Sequence, residues 1–77
     1  MNEKKINSLE QEIVGIGKKL LELRQKKGLT QEQVKTISGL TPRQIVQLEK
    51  GRTNFTVGSL ISYLQAVDAQ IVFAKNK

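Results

Sequence analysis

Thr41, Arg43, Gln44 and Gln47 place four hydrogen-bonding side chains within one short stretch, and residues 43, 44 and 47 share a face if that stretch is helical. These residue types suit the edges of nucleic-acid bases in a major groove. Arg can put two hydrogen bonds on guanine O6 and N7, and Gln can do the same on adenine N6 and N7. Each such pair discriminates against a wrong base by about 1–3 kcal/mol. The bland alternative is a solvated polar face, so the surroundings must decide.

The surroundings are basic. The 77-residue chain carries 13 Lys and Arg against 7 Asp and Glu, a net charge of +6. From Met1 to Gly17 the net is −1, from Lys18 to Arg52 it is +6, and from Thr53 onward it is +1. The whole excess sits in the middle segment, where it favours a polyanion through phosphate attraction and counterion release. Such a stretch can also serve simply as a solubilising face. The chain has no Cys and no His. That removes disulfides, thiolate zinc sites, Cys nucleophiles, imidazole ligands and the commonest general base. Neither catalysis nor a cofactor or metal is expected. No apolar run approaches membrane-spanning length and no signal-peptide pattern opens the chain, so a soluble cytoplasmic protein is expected.

The elements that must position these residues are short helices. Leu9, Ile13, Ile16, Leu20 and Leu23 recur at helical spacing, with Ser8 and Gln11 as a capping box and Gly28 as a stop. Gly15 and Gly17 interrupt this helix at about 1 kcal/mol each, so residues 8–14 are expected as a separate or kinked turn. Thr30 with Gln33 opens a second helix over 31–38, with Val34 and Ile37 inward and Gly39 ending it. Thr41, Pro42 and Gln44 open a third, with Ile45 and Leu48 inward and Gly51 at its end. Two short helices joined by a Gly-containing turn describe a helix-turn-helix. A fourth helix runs from about Val57 to Val67, capped by Thr56, with Leu60, Ile61, Leu64 and Val67 inward. The β-branched and aromatic run Ala69, Ile71, Val72, Phe73 then reads as a strand without a partner in the same chain. Pairing with a second copy across a dimer axis would complete it; the alternative is a last helical turn packed on the core. A core of this size supplies about 3–5 kcal/mol, so dimerisation would help.

The combination Leu23-Arg24, Gly28-Leu29-Thr30-Gln31-Glu32-Gln33-Val34, Ser38-Gly39-Leu40-Thr41, Ile45 and Leu48-Glu49-Lys50-Gly51-Arg52 resembles the Xre/Cro-type helix-turn-helix of phage repressors and antitoxins. The resemblance covers about residues 16–67. It implies a mainly α, lambda-repressor-like domain of four to five helices over 15–67, an N-terminal extension over 1–14, and a dimerisation strand and tail over 68–77. The end, from Leu64 to Phe73, is similar to HipB-type antitoxins, in which the last helix runs straight into a dimerising strand. By that resemblance the chain would repress its own operon at an inverted-repeat DNA operator, stay with the nucleoid through it, and neutralise a HipA-type serine/threonine kinase.

In such a fold the third helix enters the major groove, with Thr41, Arg43, Gln44 and Gln47 reading bases. Gln31, at the start of the second helix, can hold a phosphate with nearby backbone N–H groups. The resemblance adds Lys50, Arg52, Thr53 and Asn54 as phosphate contacts, and Arg24 with Glu49 as an ion pair internal to the fold. Lys18, Lys26 and Lys27 are weaker DNA candidates. The core is expected to comprise Ile16, Leu20, Leu23, Val34, Ile37, Ile45, Leu48, Leu60 and Leu64, with Phe55 packing at its loop. Where the family has a small residue in the second helix, this chain has Lys35, which must snorkel outward or splay the helix pair. The competing assignments are a repressor without a toxin partner and, in a different class, an interaction adaptor that no longer binds DNA.

Overall fold

Most of the computed structural model, which describes residues 8–52 and 55–75, is helical: α1 Leu9–Lys26, α2 Gln31–Ser38, α3 Pro42–Glu49 and α4 Val57–Ala66. Every one of these helices starts with a capping box. Ser8, Thr30, Thr41 and Thr56 each accept a hydrogen bond from the backbone N–H three residues on, and the side chains of Gln11, Gln33, Gln44 and Ser59 close the box. Two of the orphan donors at each helix start are thereby satisfied within one turn. Pro42 occupies the first turn of α3, where its missing N–H costs nothing. α1 packs on α3, while α2 packs on both α3 and α4. Among the described residues, no helix is long and apolar enough to cross a membrane.

The expected break in α1 is absent. Residues 9–14 continue the same helix through Gly15 and Gly17, and the two glycines differ in role. A Cβ on Gly17 would lie 2.6 Å from the Leu48 carbonyl oxygen, 2.7 Å from that of Glu49 and 2.9 Å from the Gly51 nitrogen. A Cβ on Gly51 would lie 2.5 Å from Val14 Cα, and Gly51 also adopts φ +70°. Backbone therefore meets backbone where α1 crosses the end of α3, and only glycine fits. A Cβ on Gly15 would meet nothing within 4 Å.

This contact rotates α1 and corrects the expected core. With Gly17 turned toward α3, Leu20 is buried, Leu23 lies half-buried at the flank, and Ile16 is exposed. Ile37 is exposed too, because α2 turns inward about Val34 and the half-buried Ser38, and not about Val34 and Ile37. Ile61 points away from the core for the same reason, on a helix whose buried side carries Ser59, Tyr63, Leu64 and Ala66. The observed core comprises Leu20, Val34, Leu40, Ile45, Leu48, Tyr63, Leu64, Ala66 and Val67, with Leu23, Leu29, Phe55, Leu60 and Ala69 against it. Lys35 snorkels: its residue is half-buried and its ammonium meets Glu32 Oε2 at 3.1 Å.

Past α4, Val67 caps the helix and Asp68 turns with φ +58°. Ala69 donates from its N–H to the Leu64 carbonyl at 2.8 Å. Residues 69–75 then form neither helix nor strand in the single chain. A ladder needs a second strand, and the left-handed turn at Asp68 ends the helix before the alternative last turn can form. Ile71, Val72 and Phe73 are left exposed.

The two glycines of α1 should respond oppositely to one methyl group. Gly15→Ala should stabilise the fold by about 1 kcal/mol, as a relieved helix interior does. Gly17→Ala should cost at least about 2 kcal/mol, because the methyl meets rigid backbone. Urea denaturation midpoints of the two variants against the parent check both signs.

Candidate nucleic-acid interface

α3 buries Ile45 and Leu48 and keeps Thr41, Pro42, Arg43 and Gln44 exposed, with Gln47 half-buried. The four residues expected to read bases thus fall into two pairs. Thr41 Oγ1 accepts from the Gln44 N–H at 3.1 Å, and Gln44 Oε1 accepts from the Thr41 N–H at 2.9 Å. Their acceptor atoms are occupied in holding the start of α3, leaving the Gln44 amide nitrogen and the Thr41 hydroxyl proton as donors. Arg43 and Gln47 have no such duty: neither side chain is engaged in a helix-start hydrogen bond.

Three cations are paired at the surface: Lys19 with Glu22, Lys35 with Glu32, and Lys27 with Asp68 across the chain end. Lys18, Lys26 and Lys75 are exposed without a carboxylate partner among the described residues. Around α3, Arg43, Lys50 and Arg52 are exposed and pair with no carboxylate among the described residues. Unpaired charge of one sign next to a polar helix face suits a row of phosphates. Lys27, a weaker candidate for DNA, is instead the partner of Asp68. Thr53 and Asn54, expected to follow as phosphate contacts, lie outside the described residues.

Behind α3 the expected ion pair is present, in a larger network. Arg24 Nε donates to Glu49 Oε2 at 2.7 Å and Arg24 Nη2 to Glu49 Oε1 at 3.2 Å, both side chains being nearly buried. Arg24 Nη1 also donates to the Leu29 carbonyl at 3.0 Å. The Tyr63 hydroxyl donates to Glu49 Oε2. Gln31 Nε2 donates to Glu49 Oε1 at 2.8 Å, so the side chain expected to hold a phosphate is already fastened to the end of α3. One amide hydrogen and the carbonyl oxygen of Gln31 remain for a phosphate and its water. Burial alone would raise the Glu49 pKa, yet the hydrogen bonds from Arg24, Tyr63 and Gln31 bring it below the ordinary 4.5. Glu49 in turn holds the Arg24 pKa above its usual range. Burial, and then the bond to Glu49, push the Tyr63 phenol above its ordinary 10.0.

Comparison with known proteins settles what kind of domain this is. The helix-turn-helix family model matches residues 20–71, which contain α2, α3 and α4 whole. The chain belongs to the helix-turn-helix family. An HTH-type transcriptional regulator of Sinorhizobium fredii is 42% identical over 52 residues, 68% of this chain and 68% of that protein. Another, of Rickettsia conorii, is 36% identical over 56 residues, 73% of this chain and 45% of that protein. A third, of Haemophilus influenzae, is 37% identical over 51 residues, 66% of this chain and 52% of that protein. This helix-turn-helix chain therefore spans about half the length of the latter two. Among solved structures, the restriction-modification controller protein C.AhdI from Aeromonas hydrophila superposes with a TM-score of 0.71 at 32% identity, over 78% of this chain and 91% of that one. The helix-turn-helix protein described here is a DNA-binding transcriptional regulator, and α2 with α3 is its namesake motif.

Sequence reasoning missed Tyr63. Its spacing from Leu60 marks an inward position on α4, but a buried phenol needs a partner, and the partner becomes visible only once Glu49 is known to face inward.

Glu49→Ala should cost about 3–5 kcal/mol by leaving Arg24 uncompensated, comparable to the entire stability of a domain this size, so the variant should be largely unfolded by circular dichroism. The depressed Glu49 carboxyl contributes stability that is complete above pH 4.5 and is lost as pH falls below it; thermal melts from neutral to acid pH should show this limb. The raised Tyr63 phenol contributes stability that is complete below pH 10 and is lost as pH rises above it. Because the chain has one Tyr and no Trp, phenolate absorbance reports this group alone and should appear only above that pH, together with loss of helix.

Proposed function

We propose that this chain acts as a homodimeric, sequence-specific repressor, with Arg43 and Gln47 as the principal base-reading residues of α3. Thr41 and Gln44 assist through their remaining donors, while Gln31, Lys50 and Arg52, with Thr53 and Asn54, hold phosphates. The observation that carries this reading is the exposed polar face of α3 flanked by positive charge. Arg43, Lys50 and Arg52 lie around that face with no carboxylate partner among the described residues, whereas Lys19, Lys27 and Lys35 are each paired. A dimer is supported by the exposed apolar run of Ile71, Val72 and Phe73 beside the half-buried Ala69. A short β-branched and aromatic run left uncovered in this way suits an edge strand that pairs with a copy of itself. Two α3 helices about 34 Å apart would then meet successive major grooves of an inverted repeat.

Beyond repression, the similarity of residues 64–73 to the ends of HipB-type antitoxins supports control of a toxin-antitoxin operon and neutralisation of a HipA-type kinase. The likeness to the controller protein C.AhdI supports a second assignment, control of neighbouring restriction-modification genes. Co-expression with the adjacent gene product followed by copurification separates the two: a kinase retained by the chain favours the antitoxin, and an adjacent methyltransferase or endonuclease gene favours the controller.

Fluorescence anisotropy on duplexes covering the upstream region of its own gene, against scrambled duplex, tests the repressor. Affinity for the cognate duplex should exceed that for the scrambled one, and Arg43→Ala with Gln47→Ala should lower it about 10-fold or more while scarcely changing the scrambled value. Lys50→Ala or Arg52→Ala should weaken both alike and reduce the salt slope by about 1. Equal affinity for both duplexes would overturn the assignment. Phe73→Asp should shift the chain toward monomer in analytical ultracentrifugation and weaken operator binding with it.

A further inference from the structure

The outward side of α3 is not polar throughout. Pro42 and Val46, one helical turn apart, form an apolar ridge beside Arg43 and Gln47, and these four line a shallow groove with Arg52. Pro42 is exposed and Val46 half-buried. Pro42 has a local reason for its place, the first helical position. Val46 has none of the usual ones. It belongs neither to the hydrophobic core nor to the apolar residues packed against it, and a β-branched residue is a poorer helix former than the Lys, Gln or Glu that suit a solvated position.

One major-groove feature calls for such a side chain between an Arg and a Gln. Base edges there present hydrogen-bond donors and acceptors, and the one apolar group among them is the pyrimidine C5-methyl. We propose that Val46 packs against a pyrimidine C5-methyl group, that of thymine or of 5-methylcytosine, and so fixes the base at one step of each half-site. The inference rests on α3 being the helix that enters the groove. The Pro42 ring walls one side of the methyl site. Arg43 and Gln47 hydrogen-bond the base edges beside it, and unpaired Arg52 lies on the side facing phosphate.

The test begins by enriching a randomised duplex library on the full chain, once with ordinary cytosine and once with 5-methylcytosine throughout. The consensus duplex is then remade with deoxyuridine replacing each thymine in turn, which deletes the methyl and keeps the base pair. At one thymine per half-site the parent should lose about fourfold in affinity, the worth of one buried methyl, and Val46→Ala should lose nothing further there. Alanine favours the helix, so this variant folds. If the methylated library accepts cytosine at that step where the ordinary one demands thymine, either methyl serves; if thymine persists in both, the methyl is thymine's. A consensus whose thymines are all indifferent to deoxyuridine, or a penalty unchanged in Val46→Ala, would overturn the contact while leaving α3 as the recognition helix. A library that yields no consensus would overturn the recognition role of α3 and this inference with it.

Discussion

The carboxylate of Glu49 draws one hydrogen-bonding side chain from each of the other three helices: Arg24 from α1, Gln31 from α2 and Tyr63 from α4. Its two oxygens thus receive four hydrogen bonds, which is what makes a buried charge tolerable in a fold with little core to spare. An ion pair of this kind adds little stability over an apolar substitute, but it is demanding about geometry. Each helix must arrive at the correct height and rotation for its donor to reach. The consequence for the proposed recognition helix is direct, because Glu49 is the last residue of α3. The helix that carries Arg43 and Gln47 is pinned at its C-terminal end by this network and at its N-terminal end by the Thr41–Gln44 box.

The close crossing of α1 over the end of α3 reinforces that constraint. With Gly17 and Gly51 in contact with opposing backbone, the two segments approach nearer than any side chain would permit, which in turn carries Arg24 to within reach of Glu49. The cost of two glycines in α1 is offset at Gly17 by this approach. No comparable contact explains Gly15.

Much of this was legible in the sequence because it is local. A Ser or Thr followed three residues later by a Gln just before an apolar-periodic stretch marks a helix start, and three of the boxes and all the glycine stops lie where those signals put them. The Arg24–Glu49 pair was available only through family resemblance, since twenty-five residues separate its partners. What periodicity does not encode is which edge of an apolar stripe faces inward. Ile16 and Ile37 sit at correct spacing and are nonetheless exposed, because rotation of α1 is set by a glycine contact and rotation of α2 by Val34 and Ser38. Leu40 escaped notice because it lies in the turn between α2 and α3, and Tyr63 because its burial depends on a distant acceptor. At the candidate interface, residue types in the sequence single out Thr41, Arg43, Gln44 and Gln47, and of these the structure exposes Thr41, Arg43 and Gln44 and half-buries Gln47. The division of labour among them, with Thr41 and Gln44 holding the helix start and Arg43 and Gln47 not engaged in it, appears only when the hydrogen bonds are drawn.

That division has an evolutionary consequence. Of the eight residues in α3, Ile45 and Leu48 are committed to the core, Glu49 to the network, and Pro42 and Gln44 to starting the helix. Arg43, Val46 and Gln47 carry no such obligation. If these three read DNA as proposed, a lineage could acquire a new target by drift at three codons without first solving a folding problem. Closely related copies in one genome could diverge in address while keeping the same scaffold, and exchanging those three side chains between two relatives should transplant the address as a unit.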